Sequence, residues 1–188
     1  MDWKRLPSTD PADPDGLTAL LQRAQQEIGG AALSGTRFIH DSREMLGRSR
    51  EIEAAVLGAP TTLYVGFQTA HRLDQEADIY TDLVASGTGV TAFGTGWPAS
   101  DTGVRWIALP EHPDRLENQW FLVTFAPEPI AFVGFEIADP VGRPNGDDAR
   151  GRRTWEGFVS HDPRLVDALV GHLDGVVDQH TPSDSRRR

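Results

Sequence analysis

The chain contains no cysteine among its 188 residues. This absence excludes disulfide bonds, zinc–thiolate sites and a cysteine nucleophile, and it is typical of a protein from a reducing cytoplasm. The sequence also lacks an apolar run of the roughly 18 residues that a membrane-spanning helix requires. Residues 1–16 lack the apolar stretch of a signal peptide. We therefore expect a cytoplasmic protein that does not enter a membrane.

Basic residues are scarce. Lysine and arginine together number 18 against 28 aspartates and glutamates, which gives a formal net charge of −10, and Lys4 is the only lysine. Nucleic-acid-binding proteins normally present a basic face, whereas the arginines here cluster only within residues 149–153 and at the C-terminal end. The composition therefore predicts no nucleic-acid binding.

Hydrophobic periodicity predicts that helices and strands alternate in the first half of the chain. The segments with helical spacing of apolar residues are 15–30, 42–58 and 75–87. The segments with the nearly continuous apolar runs of short buried strands are 61–68, 88–96 and 103–110. A short extended piece precedes Ser42, and the helix that follows has an apolar stripe of Met45, Leu46, Ile52, Ala55 and Val56.

The second half has a different pattern. Two apolar runs within 118–139 are joined by the short loop 126–129, which predicts an antiparallel hairpin. A strand at 153–162 and a helix capped by Asp162 follow. Together these elements predict an α/β protein with α+β character in its second half. We expect a mixed sheet of about six strands flanked by helices, with an antiparallel meander in the C-terminal half. One domain would span 15–178, between disordered ends at 1–14 and 179–188.

No sequence motif identifies a reaction. The glycines of 87–96 flank a strand and lack the lysine of a phosphate-binding loop, so we interpret them as turn residues. The six histidines show no spacing typical of a metal site, and no Gly-x-Ser-x-Gly elbow is present. Glu117 or His161 could perform acid–base chemistry, so a small enzyme remains an alternative hypothesis.

Five segments, in order, carry a family resemblance. They are "SREMLGRSREIEAAVLG", "TTLYVGFQTAHRL", "IYTDLVASGTGVTAFG", "LENQWFLVTFAP" and "TWEGFVSHDPRLVDAL". Over residues 38–177 this ordered set resembles the DICT domain, a sensory module named for diguanylate cyclases and two-component systems. The resemblance implies a non-enzymatic role in signal transduction, with no catalytic residue to carry over and an unknown cofactor.

The resemblance also implies an output partner: a histidine kinase, a cyclic-dinucleotide enzyme or a transcription regulator. Because no output domain follows residue 178, we expect the signal to pass to a separate protein. A homodimer, formed through the N-terminal helix or a sheet edge, is possible under a further alternative, in which the chain is purely a protein-interaction module.

The candidate ligand site follows from aromatic residues near strand ends, several of them beside polar side chains, as in pockets for flat ligands. The predicted ligand-binding residues are Phe67, Gln68, Arg72, Tyr80, Trp106, Trp120 and Trp155. Under the resemblance, Gln68 ends a central strand, at the edge where α/β sheets bind ligands, and Arg72 could bind an anion. In the alternative interpretation, Gln68 caps the helix of Tyr80, and Arg72 pairs with Asp74 or Glu76. We expect conformational change within 72–77 and 139–152.

Overall fold

A single mixed sheet organises the fold. In the computed structural model of the chain, the residues described are 21, 35–110, 119–136 and 155–180. The strands are β1 (Arg37–Ile39), β2 (Thr62–Thr69), β3 (Gly89–Thr95), β4 (Arg105–Ala108), β5 (Gln119–Thr124), β6 (Ile130–Glu136) and β7 (Trp155–Ser160). The helices are α1 (Ser42–Val56), α2 (Ala70–Gln75), α3 (Ala77–Ala85) and α4 (Pro163–His180).

The strand order across the sheet is β1-β7-β6-β5-β2-β3-β4. Strands β2, β3 and β4 are parallel to one another, and β5 pairs antiparallel with β2 and continues through β6 and β7 as a meander. This arrangement confirms the predicted fold class. The sheet has seven strands because the extended piece before Ser42 pairs with β7 as β1.

Both long helices begin at the predicted residues. The side chain of Asp41 accepts hydrogen bonds from two backbone N–H groups of the first turn of α1, and Asp162 caps α4 by accepting from the backbone N–H of Arg164. These bonds satisfy donors that a helix start leaves unpaired. Every helix within the described ranges is too short or too polar to cross a lipid bilayer. Of the helix predicted at 15–30, the described part is Leu21, which is helical and buried.

The sheet separates two apolar cores. On one face α4 packs its apolar stripe against Phe121, Val133 and Phe158. On the other face α1, α2 and α3 cover a second core that includes Phe67, Tyr80, Trp120 and Trp155. The sites considered below lie on this second face.

The apolar stripe of α1 was predicted only in part. Met45, Ile52 and Val56 are buried as expected, whereas Leu46 and Ala55 are exposed. Each of these two residues borders a cavity described below, because it lies at an edge of the stripe.

Candidate functional site

A cavity of about 150 Å³ lies at the carboxyl end of β2, under α1 and the junction of α2 with α3. We call it the β2 cavity. Most of the residues predicted as ligand-binding share its wall, namely Phe67, Gln68, Arg72, Tyr80, Trp120 and Trp155. Segments far apart in sequence therefore converge on one concave surface. Whether they bind a ligand stays a prediction.

Trp106 is the predicted site residue that does not line this cavity. It lies on β4, at the edge of the sheet, and packs over Gly94 of β3. Its indole Nε1–H donates to the carbonyl of Gly96 at 2.9 Å. The ring therefore fastens the end of β3 to the edge strand.

Strand β2 ends in an irregular backbone. The pairing of β2 with β3 shifts register between Gly66 and Gln68, and Gln68 has a φ of 61°, a left-handed conformation that is uncommon outside glycine. Its buried amide Nε2 donates to the carbonyl of Gln119 on β5 at 3.1 Å. Gln68 therefore joins β2 to β5 and does not cap the helix of Tyr80, whose N-cap residue is Glu76.

A hydrogen-bonded charge network forms the opposite wall. The hydroxyl of Tyr80 donates to Oε1 of Glu53 at 2.7 Å. The guanidinium of Arg50 donates to Oε2 of Glu53 at 2.8 Å and to Oε2 of Glu76 at 2.5 Å. Glu53 is the buried member, with 7% of its side chain exposed. A carboxylate buried this deeply needs such partners, because an isolated buried charge is costly.

The environment shifts the pKa values of two network members. Burial, reinforced by the adjacent carboxylate of Glu53, raises the pKa of the Tyr80 hydroxyl well above 10. For Arg50, burial lowers the pKa, but hydrogen bonds to Glu76 and Glu53 outweigh it, and the pKa lies above the usual value. At neutral pH Tyr80 is therefore a neutral donor and Arg50 is a cation.

Aromatic rings complete the wall and its support. Phe67 meets Tyr80 edge to face, with ring centroids 4.8 Å apart. Trp120 and Trp155 meet edge to face at 6.0 Å, and Trp120 packs in the same manner on Phe132 at 5.1 Å. These arrangements are favourable for aromatic pairs and fix the ring orientations.

The loop between β3 and β4 is tied to α2. The carboxylate of Asp74 accepts hydrogen bonds from the backbone N–H groups of Ala99, at 3.0 Å, and Ser100, at 2.8 Å. Those backbone bonds lower the pKa of Asp74. The same loop carries Trp97, which is 78% exposed. Of the two segments predicted to change conformation, 72–77 contains Asp74 and the α2–α3 junction, while 139–152 lies outside the described residues.

A second concave surface lies on the far side of α1. This groove, with a volume of about 480 Å³, has an apolar floor that includes Ile52, Val56 and Ile130. Charged residues from its rim include Arg37, Arg48, Glu51 and Glu128. We call it the α1 groove.

Of the two residues named in the enzyme hypothesis, the structure describes His161. His161 lies at the rim of the α1 groove, with Nδ1 3.9 Å from Oε1 of Glu128. Glu117 lies outside the described residues. In the part of the chain that the structure describes, histidine and carboxylate side chains form no cluster that could hold a metal ion.

Sequence reasoning missed Arg50, Glu53 and Glu76 as members of the β2 cavity wall. The available signal was the i, i+3 spacing of Arg50 and Glu53, which pairs opposite charges on one helix face. The same spacing also occurs on the exposed side of α1, in Arg48 and Glu51. Identifying the buried face also required knowing that Glu76 and Tyr80 approach from another helix.

The model of the DICT family, described as a sensory domain in diguanylate cyclases and two-component systems, matches residues 18–134. No curated protein sequence matches the chain.

Three solved structures match the chain at low sequence identity. TrmBL2, an archaeal chromatin protein, is 11% identical with a TM-score of 0.49, and the match covers 87% of this chain and 60% of that one. NucT from Helicobacter pylori is 10% identical with a TM-score of 0.49, over 76% of this chain and 95% of that one. Polyphosphate kinase from Porphyromonas gingivalis is 13% identical with a TM-score of 0.51, over 97% of this chain and 33% of that one. At 13% identity and a TM-score of 0.51, the likeness to the polyphosphate kinase concerns the fold alone.

Proposed function

We propose, because the chain belongs to the DICT family of sensory domains, that it is a non-enzymatic sensor whose β2 cavity binds a small molecule. The signal would pass to a separate output protein. Since the family occurs in diguanylate cyclases and two-component systems, the output partner would be a cyclic-dinucleotide enzyme, a histidine kinase or a transcription regulator.

The observation that carries the proposal is the convergence of aromatic rings and polar groups on one cavity. Ligand sites are concave and largely apolar, with a few polar groups that fix orientation. Here Trp120 and Trp155 supply apolar wall, and Gln68, Arg50 and Arg72 supply polar groups. A cavity of about 150 Å³ matches the size of one that holds a single benzene ring in another protein. The buried part of the ligand would therefore be about one ring in size.

The cavity wall also offers a route for the signal. A ligand changes the balance of two conformations only by binding one of them more tightly. The α2–α3 junction contributes Glu76 to the wall, and α2 holds the β3–β4 loop through Asp74. Movement of the junction would therefore reach a loop that exposes Trp97 to a partner.

Native mass spectrometry of freshly purified protein, compared with the denatured mass, tests whether a ligand is bound. We expect a non-covalent extra mass that is lost in Arg72→Ala and retained in Arg48→Ala. Arg48 is a suitable control because it lies on the α1 groove and not on the β2 cavity. A third variant, Gln68→Gly, removes the amide while allowing the left-handed backbone, so lost binding would not reflect backbone strain.

Two results would contradict the proposal. If the extra mass survives both Arg72→Ala and Gln68→Gly, the ligand lies elsewhere. If those variants unfold the domain while Arg48→Ala does not, their side chains serve the fold and the proposed site is wrong.

The second candidate is a protein-interaction domain that acts as a homodimer. The α1 groove favours it, because the rim places Arg37 and Arg48 beside Glu51 and Glu128. A two-fold interface needs such a self-complementary surface. Light scattering on the eluting protein decides between the candidates. A dimer with no extra mass, dissociated by Arg48→Glu, would favour the interaction domain over the small-molecule sensor.

A further inference from the structure

We infer that the ligand of the β2 cavity carries a carboxylate, which binds Arg50 in place of Glu76. This inference rests on the proposed function, because it names the chemical class of molecule that the cavity takes. In the described structure Glu76 already places a carboxylate on Arg50, at 2.5 Å. That side chain shows which chemistry the guanidinium accepts at this point of the wall.

The two carboxylates on Arg50 are not equivalent. Glu53 has 7% of its side chain exposed and receives a second hydrogen bond from Tyr80. Glu76 has 33% of its side chain exposed. If Glu53 left Arg50, a buried charge would lose its partner, whereas Glu76 can turn toward water at little cost. Glu76 is therefore the partner that a ligand can displace.

The charge balance of the wall favours an anion once Glu76 has turned away. Among the described residues, the charged members of the wall are Arg50, Arg72, Glu53 and Glu76. Their formal charges cancel while Glu76 is in place. Without Glu76 the guanidinium of Arg50 has one carboxylate partner instead of two, and a ligand carboxylate would restore the second. Arginine suits this exchange because its planar fork matches carboxylate geometry.

The rest of the cavity defines the remainder of the molecule. Trp120 and Trp155 line it with apolar surface, and the volume of about 150 Å³ leaves room for a body about one ring in size. The inferred class is therefore a small carboxylate on a flat apolar body. Larger parts of the ligand would extend through the mouth of the cavity.

Displacement would act on the helix junction. The backbone N–H of Glu76 donates to the carbonyl of Leu73 at 3.0 Å, and its carbonyl accepts from the N–H of Ile79 at 3.1 Å. Glu76 thus ends α2 and begins α3. A carboxylate ligand would release the side chain that now ties this junction to α1.

Benzoate and benzamide are a suitable pair of probes, because they share a ring and differ in charge. Their Kd values for the full chain can be measured by calorimetry, and the indole N–H signals of Trp120 and Trp155 report whether the probe enters the cavity. We expect benzoate to bind at least about tenfold more tightly than benzamide, since charge-assisted hydrogen bonds are about twice as strong as neutral ones.

The decisive variant is Glu76→Gln, which removes the competing charge and keeps the side-chain shape. We expect it to tighten benzoate binding about fivefold, as for loss of a partly exposed ion pair, and to leave benzamide binding unchanged. Glu51→Gln is the matched control. Glu51 also pairs with an arginine of α1, Arg48, but lies on the α1 groove, so we expect no effect on either probe.

Two results would overturn the inference. If benzamide binds as tightly as benzoate and Glu76→Gln changes neither Kd, the ligand is not a carboxylate, although binding in the cavity stands. If neither probe shifts the indole signals of wild type or Glu76→Gln, the inferred class is also wrong. The proposed function is then decided separately, by the mass of the purified protein.

Discussion

The hydroxyl of Tyr80 is the most direct place to test the buried network, because Tyr80→Phe removes one donor and leaves the ring packing intact. The hydroxyl donates to Glu53 at 2.7 Å, and a hydrogen bond to a charged group contributes about 1.5–3 kcal/mol. Glu53 keeps Arg50 as a donor, so the variant should lose about 2 kcal/mol of unfolding free energy. For a chain of this size that corresponds to a fall in Tm of about 4–8 °C.

The chain provides a matched control, since its two tyrosines both donate to carboxylates. The hydroxyl of Tyr64 donates to Asp174 at 2.6 Å, but this bond is exposed. Tyr64→Phe should therefore lower the free energy of unfolding by less than about 1 kcal/mol. Urea unfolding of both variants gives the comparison. A double-mutant cycle of Tyr80→Phe with Glu53→Gln then isolates the coupling free energy between these two side chains, which should be at least about 1 kcal/mol.

Alkaline pH should reduce the contribution of the Tyr80 hydroxyl to the free energy of unfolding. Burial and the carboxylate of Glu53 raise the pKa of Tyr80 above its unfolded value of 10. Below pH 10 both states keep the proton, so the stabilisation is complete. Above pH 10 the unfolded chain loses the proton and the folded chain keeps it, so stability falls as pH rises. The difference in unfolding free energy between wild type and Tyr80→Phe should therefore shrink above pH 10.

Tyrosinate absorbance gives an independent measurement of the same burial. In Tyr80→Phe the remaining tyrosine, Tyr64, should titrate at about pH 12, because partial burial and its bond to Asp174 raise its pKa to about 12. In Tyr64→Phe no tyrosine should ionise near pH 10 while the chain is folded. Ionisation at pH 10 in that variant, or equal costs for the two Tyr→Phe changes, would refute the buried network.

Two further predictions concern the packing of the sheet and the β3–β4 loop. Gly157→Ala should lose about 1–3 kcal/mol in urea unfolding, because a Cβ there would overlap the backbone carbonyl oxygen of Val133 on the neighbouring strand. Gly175→Ala on α4 has open space and should gain up to about 1 kcal/mol. Equal effects of the two substitutions would show that β6 and β7 do not approach as described. Asp74→Ala should speed hydrogen exchange at the backbone amide of Ser100, because that N–H donates to the Asp74 carboxylate. Unchanged exchange would mean that the carboxylate does not hold the loop.

Sequence pattern predicted most of the fold because, in each element, the hydrophobic period and the cap or turn residues indicated the same structure. The start of α1 at Ser42, the cap at Asp162, the hairpin of β5 and β6 and the buried strands β2 and β3 all have period or turn signals that no other part of the chain opposes. The position of β1 could not be predicted, since three residues carry no period, and its pairing with β7 joins segments more than a hundred residues apart.

The candidate site was predictable in one respect and not in another. Aromatic residues near strand ends reach the β2 cavity because their strands, β2, β5 and β7, belong to the continuous run β7-β6-β5-β2 of the sheet. Trp106 has the same local pattern, but β4 is an edge strand, and its ring closes over Gly94 instead. Local sequence does not contain strand order, so it could not separate Trp106 from Trp120 or Trp155.

Two of the described residues that line the β2 cavity break local rules. Glu53 is a carboxylate on the buried side of α1, and Gln68 holds a backbone conformation that favours glycine. Each departure costs stability by itself, and a chain selected for folding alone would avoid it with an apolar residue at 53 and glycine at 68. Such departures are expected where a site needs them. Their meeting in one wall is therefore a further argument for the proposal that the β2 cavity is a binding site.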